Sequence, residues 1–146
     1  MSLTKREQSR IERTLAATLT DACEAAKAEI VGFEWLTHDV DYQRFPASLR
    51  VIWVFASQAE QDAAIAKGQE RLMQALTAAA LQAAEIALDN PAAHVYVDNE
   101  QQCLRVDGGN WQQRLTRQRN MRPVAAMRIA KTFCVTTLCN LLLQLC

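Results

Sequence analysis

The chain has 146 residues, half of them apolar, with sixteen Lys and Arg against sixteen Asp and Glu. This length is enough for one domain with a substantial hydrophobic core. The five cysteines are odd in number and contain no C-x-x-C pair, which argues against a disulfide framework and against a zinc ribbon. The polar N-terminus has no apolar segment of the secretory type, and we expect a cytoplasmic protein in a reducing compartment.

The zero net charge is the sum of two opposed parts. Residues 1–107 carry ten Lys and Arg against sixteen Asp and Glu, whereas the last 39 residues carry six basic side chains and no acidic one. A basic segment of this kind can track phosphate or anionic lipid, or it can fold back on its own acidic body. The charge pattern therefore points to interaction partners without choosing between them.

The first predicted element is a helix over residues 5–30. Thr4 and Glu7 form a capping box at its start, and apolar residues then recur at three- and four-residue spacing, as on one helix face. Gly32 can supply the positive φ that ends a helix. An aromatic-rich strand is predicted over 33–40, followed by a polar turn over 41–47.

The most clearly predicted strand spans residues 48–55, where a continuous run of β-branched and aromatic residues is typical of an interior strand. Ser57 and Glu60 form a second capping box and open a long alanine-rich helix. Gly68 weakens or interrupts this helix, which ends before Pro91. Two short runs, 93–98 and 102–107, are predicted to form a hairpin.

The resulting order, α-β-β-α-β-β, predicts an α+β fold of two layers. We expect an antiparallel four-stranded sheet with both helices on one face. This domain is assigned to residues 1–115, and residues 116–146 form a basic and then apolar C-terminal extension. The core is predicted to contain Leu15, Leu19, Trp35, Val51, Trp53, Leu72, Leu76 and Val95, so the domain is expected to fold without the extension.

The extension ends in fifteen uncharged residues, 132–146, which fall short of the about 20 that a helix needs to span a bilayer. A third helix that docks on the domain, or on a second copy of the chain, is the favoured interpretation. Interfacial contact with a membrane, nucleic-acid binding and disorder remain as alternatives, with the membrane surface disfavoured. The candidate contacts for nucleic acid or an acidic partner are Arg114, Arg117, Arg119 and Arg122.

A second group of polar residues could form a metal or acid–base site. His38, Asp39 and Asp41 are close in sequence, and His94 could approach them across the sheet. Strand alternation places His38 on one face and the two aspartates on the other, so they cannot converge without a bulge. Solvent-facing positions beside a turn are therefore the favoured interpretation, and no catalytic residue, metal or cofactor is assigned.

Three stretches of the chain are distinctive: GFEWLTH at 32–38, YQRFPASL at 42–49 and GGNWQQRL at 108–115. They resemble a small uncharacterised proteobacterial family whose members sometimes carry the label "Fis family transcriptional regulator". The likeness covers about residues 7–115 and implies no established activity or catalytic residue. A Fis-type end would be a helix-turn-helix, and no such pattern with a turn glycine follows Trp111.

These observations together predict a non-catalytic cytoplasmic protein that acts through protein contacts, as a homo-oligomer or with another protein. One alternative is a protein that binds nucleic acid, or is associated with transcription, through the basic segment. The other is an enzyme or metal site around His38 and His94.

Overall fold

The part of the chain described by the computed structural model, residues 3–120, combines helices with one sheet, which confirms the predicted mixed α and β class. Two short 3-10 helices, Tyr42–Arg44 and Pro91–His94, lie in the connections. The regular elements are α1 (Lys5–Lys27), β1 (Phe33–Asp39), β2 (Arg50–Phe55), α2 (Gln58–Ala66), α3 (Glu70–Ala83), β3 (Val95–Asn99), α4 (Glu100–Asp107) and α5 (Trp111–Arg119).

The sheet of residues 3–120 has three strands in the order β1-β2-β3. β1 and β2 pair antiparallel, with Leu36 opposite Trp53, whereas β2 and β3 pair parallel, with Trp53 opposite Val97. Parallel neighbours need a long crossover connection, and α2 and α3 provide it. The prediction of a four-stranded antiparallel sheet is therefore wrong for this part of the chain.

The predicted second strand of the hairpin is the helix α4. The side chain of Asn99 accepts a hydrogen bond from the backbone N–H of Gln102 and caps the start of the helix, and Gly108 ends it in the left-handed conformation with φ of 62°. Asparagine favours both turns and helix caps. The polar residues that suggested a hairpin turn instead mark the start of this helix.

The predicted capping box at Thr4, the N-cap at Ser57 and the glycine break are confirmed, whereas the side chain of Glu60 accepts from the Ser57 hydroxyl and not from its backbone. Thr4 accepts from the backbone N–H of Glu7 and Glu7 bonds back to Thr4, while Ser57 accepts from the N–H of Glu60. Gly68, with φ of 76°, separates α2 from α3. The long alanine-rich segment is therefore two helices, because the backbone at Gly68 leaves the helical region.

Helices lie on both faces of the sheet. On one face, His38 contacts Glu12 of α1, and the Nε1 atom of Trp53 donates to Thr77 of α3 at 3.1 Å. Side chains of the other face, including Asp39 and Asp98, contact α5. The predicted arrangement with helices on one face holds for α1 and α3, but α5 covers the other face, and residues 3–120 form three layers.

The predicted core is largely confirmed. Four of its members, Leu15, Leu19, Val51 and Trp53, are fully buried, and the other four are partly buried against them. α5 continues past residue 115, the predicted domain boundary. None of the helices within residues 3–120 is long and apolar enough to cross a membrane. The predictions for the 132–146 segment lie outside the described residues.

Candidate functional site

The part of the basic segment that the structure describes, residues 108–120, folds back on the acidic body. Arg114 of α5 is 3% exposed. Its Nε and Nη2 atoms donate to the two carboxylate oxygens of Asp98 at 2.7 and 2.9 Å. Its Nη1 atom donates to Asp107 at 2.8 Å. This two-bond fork is the geometry in which a guanidinium binds a carboxylate most strongly.

A second arginine of α5 completes this network. Arg117 donates to both oxygens of Asp107, at 2.5 and 3.1 Å, although 46% of its side chain stays exposed. Asp107 ends α4 and Arg117 lies one turn after Arg114, so the same carboxylate binds both guanidinium groups. We call Asp98, Asp107, Arg114 and Arg117 the arginine–aspartate network.

A further pair of arginines binds Asp39, at the end of β1. Arg50, the neighbour of Asp39 on β2, donates to it, and Arg119 at the end of α5 donates through Nε at 3.0 Å. Asp39 is buried, whereas 38% of the Arg119 side chain is exposed. Three of the four predicted contact arginines thus have carboxylate partners within the chain, and Arg122 lies outside the described residues.

The two aspartates of the network respond differently to their surroundings. Burial raises the pKa of Asp98 to about 6, against the opposing effect of Arg114. Burial also acts to raise the pKa of Asp107, but the hydrogen bonds from Arg117 and Arg114 outweigh it and lower that pKa. Two guanidinium groups on one carboxylate favour its charged form more than one does.

On the opposite face of the sheet, Glu12 connects two side chains from the resembling stretches. The Nε2 atom of His38 lies 2.8 Å from one carboxylate oxygen, and the Tyr42 hydroxyl donates to the other at 2.6 Å. Burial acts to raise the pKa of Glu12, but the bonds from His38 and Tyr42 lower it overall. Glu12 is thereby stabilised as an anion, which makes it a weak proton acceptor.

The structure does not bring the predicted polar group together at one point. Asp41 accepts from the backbone of Gln43 and from Arg44, and so organises the turn. The Nδ1 atom of His94 lies 2.7 Å from the backbone oxygen of Leu49. The four predicted residues, His38, Asp39, Asp41 and His94, therefore have separate partners. No group of three or more His, Cys, Asp or Glu side chains within residues 3–120 is placed to hold a metal ion.

Two half-buried indoles meet beside the start of α4. The rings of Trp35 and Trp111 are edge to face, with centroids 5.1 Å apart. The Nε1 atom of Trp111 donates to Glu100 at 2.7 Å. Burial raises the pKa of Glu100, while hydrogen bonds from Trp111 and Trp35 partly offset it. This contact fixes the start of α5 against the edge of the sheet.

Sequence reasoning missed the carboxylates that hold the arginines. The predicted hairpin places Asp98 and Asp107 on strands, and the sequence analysis assigns no role to Glu12. Arg114 follows the end of α4 at Asp107 after one short turn, and this spacing is compatible with a pairing of the two residues. No sequence signal indicates that Asp98, 16 residues away, is its main partner.

A comparison of the chain with protein-family models, curated proteins and solved structures gives no match.

Proposed function

We propose that this chain is a non-catalytic protein that acts through contacts with other proteins, a second copy of itself being the first candidate. The observation that carries the proposal is the position of Arg114. Its guanidinium is buried and bound by Asp98 and Asp107, so it is not presented to an external phosphate. Within residues 108–120, the arginines of the basic segment bind aspartates of the chain itself, and this supports a structural role for them.

The charge of the described body also supports a protein partner. Residues 3–120 contain thirteen Lys and Arg against sixteen Asp and Glu. Nucleic-acid affinity depends on positive charge that neutralises phosphates, and a slightly acidic body opposes it. A surface of mixed sign suits complementary contact with another protein.

The state of the acid–base groups supports the non-catalytic part of the proposal. The imidazoles of His38 and His94 each have a partner within the chain. Cys103 is buried, and burial raises the pKa of its thiol to about 12. A general base or nucleophile must reach its substrate in a reactive protonation state.

Size-exclusion chromatography with light scattering tests the proposal. We expect the full chain to form a species larger than a monomer at micromolar concentration, and its mass to fall on dilution. A strictly monomeric chain that also binds no protein in a defined interaction screen would overturn the proposal.

Nucleic-acid binding is the second candidate, and the exposure of two arginines favours it. Although Arg117 and Arg119 are paired with aspartates, 46% and 38% of their side chains remain exposed. Titration of duplex DNA at several salt concentrations tests this candidate, because affinity due to phosphate contacts falls steeply with salt. Replacement of Arg117 by Gln should then reduce the salt slope, with Arg105→Gln as the control on α4.

We also propose that the chain belongs to the proteobacterial family that it resembles and works in the cytoplasm. The resembling stretches at 32–38, 42–49 and 108–115 support the first point. The odd number of cysteines and the absence of a C-x-x-C pair support the second. Fractionation of bacterial cells that express the tagged chain tests the location, with recovery outside the cytoplasm as the contrary result.

A further inference from the structure

α5 is joined to the rest of the fold by few buried groups. Of its nine residues only Arg114 and Leu115 are buried, whereas α1 buries five residues, all apolar or cysteine. The hydrophobic contribution to docking grows with the apolar area removed from water. Ion pairs therefore account for a larger share of the attachment of α5 than of α1.

Such ion pairs resist separation less than their number suggests. When a buried pair separates into water, both charges regain hydration, and this offsets much of the lost attraction. Elements with few buried apolar contacts belong to the least stable part of a fold. α5 is accordingly suited to leave the sheet while the core under α1 and α3 stays folded.

The connection before α5 has the properties of a hinge. Gly108 and Gly109, with φ of 62° and 85°, are the residues that join α4 to Asn110, the N-cap of α5. A side chain at Gly108 would meet no atom within 4 Å. A hinge is a short set of residues that absorbs a large change of φ and ψ, and the open space around Gly108 allows that change.

We propose that α5 is exchanged between two copies of the chain, so that Asp39 and Asp98 of one copy bind the arginines of α5 from the other. This inference rests on the proposed function and specifies its interface. In the exchanged pair, each sheet keeps its second layer and each Gly108 adopts an extended conformation. Exchange of an identical element is a low-cost route to a dimer.

A second copy is the occupant that the charges specify. Asp98 accepts two parallel bonds from Arg114, and Asp39 accepts from Arg119, five positions later on α5. A partner must present arginines at this spacing on one short helix, and another copy does so with the same backbone. Every contact that α5 makes within a single copy is then formed again between the two copies, and only the conformation of the hinge differs.

The first test compares two alanine substitutions in the full chain. Gly108→Ala should favour exchange, because a positive φ is strained for alanine and the extended hinge releases that strain. We expect the Kd of the dimer to fall by roughly tenfold for each of the two hinges. Gly68→Ala is the matched control, since its φ is 76° and its surroundings are equally open. It should leave the Kd unchanged.

The second test mixes two variants at high concentration and counts the species by native mass spectrometry. One chain carries Asp39→Asn and the other, isotope-labelled, carries Arg119→Gln. A mixed dimer with exchanged α5 rebuilds one complete Asp39–Arg119 pair, which neither variant can form alone. We expect mixed dimers to make up well above one half of all dimers, which is the fraction that random pairing of equal amounts gives. Circular dichroism establishes that both variants are folded.

The outcomes separate this inference from the function on which it rests. A dimer with random mixing and no response to Gly108→Ala would overturn the exchange of α5 and would support protein contact through another surface. A chain that is monomeric at every concentration, including the Gly108→Ala variant, would overturn the exchange. If that monomer also lacks a protein partner, the proposed function fails as well.

Discussion

Arg114 and Asp98 are joined by two parallel hydrogen bonds, with donor–acceptor distances of 2.7 and 2.9 Å, across the interface between α5 and β3. Both side chains are almost completely buried. Asp107 binds the remaining nitrogen of the same guanidinium. This fork is the central contact of the second helical layer, and the stability of that layer follows from it.

The first prediction concerns removal of one member of the fork. Arg114→Met should lower the free energy of unfolding by about 3 to 5 kcal/mol, because it leaves the buried carboxylate of Asp98 without its arginine partner. The double variant with Asp98→Asn should lose less than the sum of the two single changes. Urea unfolding followed by circular dichroism measures these values. The exposed Arg105→Gln is the control and should change the free energy of unfolding by less than about 0.5 kcal/mol. If the losses of Arg114→Met and Asp98→Asn simply add in the double variant, the two residues are not a coupled pair.

The second prediction concerns pH. Because the pKa of Asp98 is raised to about 6 in the folded chain, ionisation of this carboxyl opposes folding. The protonated carboxyl of Asp98 should therefore contribute to the free energy of unfolding at low pH, and this contribution should be lost as the pH rises through about 6. The difference in unfolding free energy between the wild type and Asp98→Asn, measured from pH 4 to 8, isolates this effect.

Asp107 provides the contrast, since its pKa is lowered in the fold. Its contribution should be present above its ordinary pKa and be lost as the pH falls below that value. The difference between the wild type and Asp107→Asn should then change in the opposite direction, at more acidic pH. Identical pH profiles for the two variants would disagree with the different environments of the two aspartates.

The third prediction tests the contact beneath α1. Tyr42→Phe removes the 2.6 Å hydrogen bond to Glu12 and should cost about 1.5 to 3 kcal/mol, the range for a bond to a charged group. It should also bring the pKa of Glu12 closer to its ordinary value, which a carbon-detected NMR titration measures. Arg13→Gln, an exposed neighbour on α1, is the control. An unchanged Glu12 titration would show that Tyr42 does not stabilise the carboxylate.

The fourth prediction compares two shortened chains. A chain that ends at Asn120 should keep a cooperative thermal transition, because it retains all of α5. A chain that ends at Leu115 lacks Arg117 and Arg119, and each lost, partly exposed ion pair should cost about 0.2 to 1 kcal/mol. Its midpoint should be lower by several degrees in differential scanning calorimetry. Equal midpoints would show that these arginines do not hold α5 in place.

The amino-acid sequence by itself determined the local features of this protein. Capping residues predicted the starts of α1 and α2, and the apolar run at 50–55 predicted the central strand. These features depend on side chains that interact with their own backbone three or four residues away. The charge asymmetry likewise singled out Arg114, Arg117 and Arg119 as candidates for anionic partners, without choosing between phosphate, lipid and the acidic body of the chain.

Only the tertiary structure decided how these elements combine. The parallel pairing of β2 with β3 follows from the crossover through α2 and α3, and local patterns do not encode strand direction. Arg119 binds Asp39 from 80 residues away, a distance over which sequence spacing carries no geometric information. The arginines of α5 thus have their partners on β1, β3 and α4, because packing around one core brings opposite charges together and burial makes their pairing necessary.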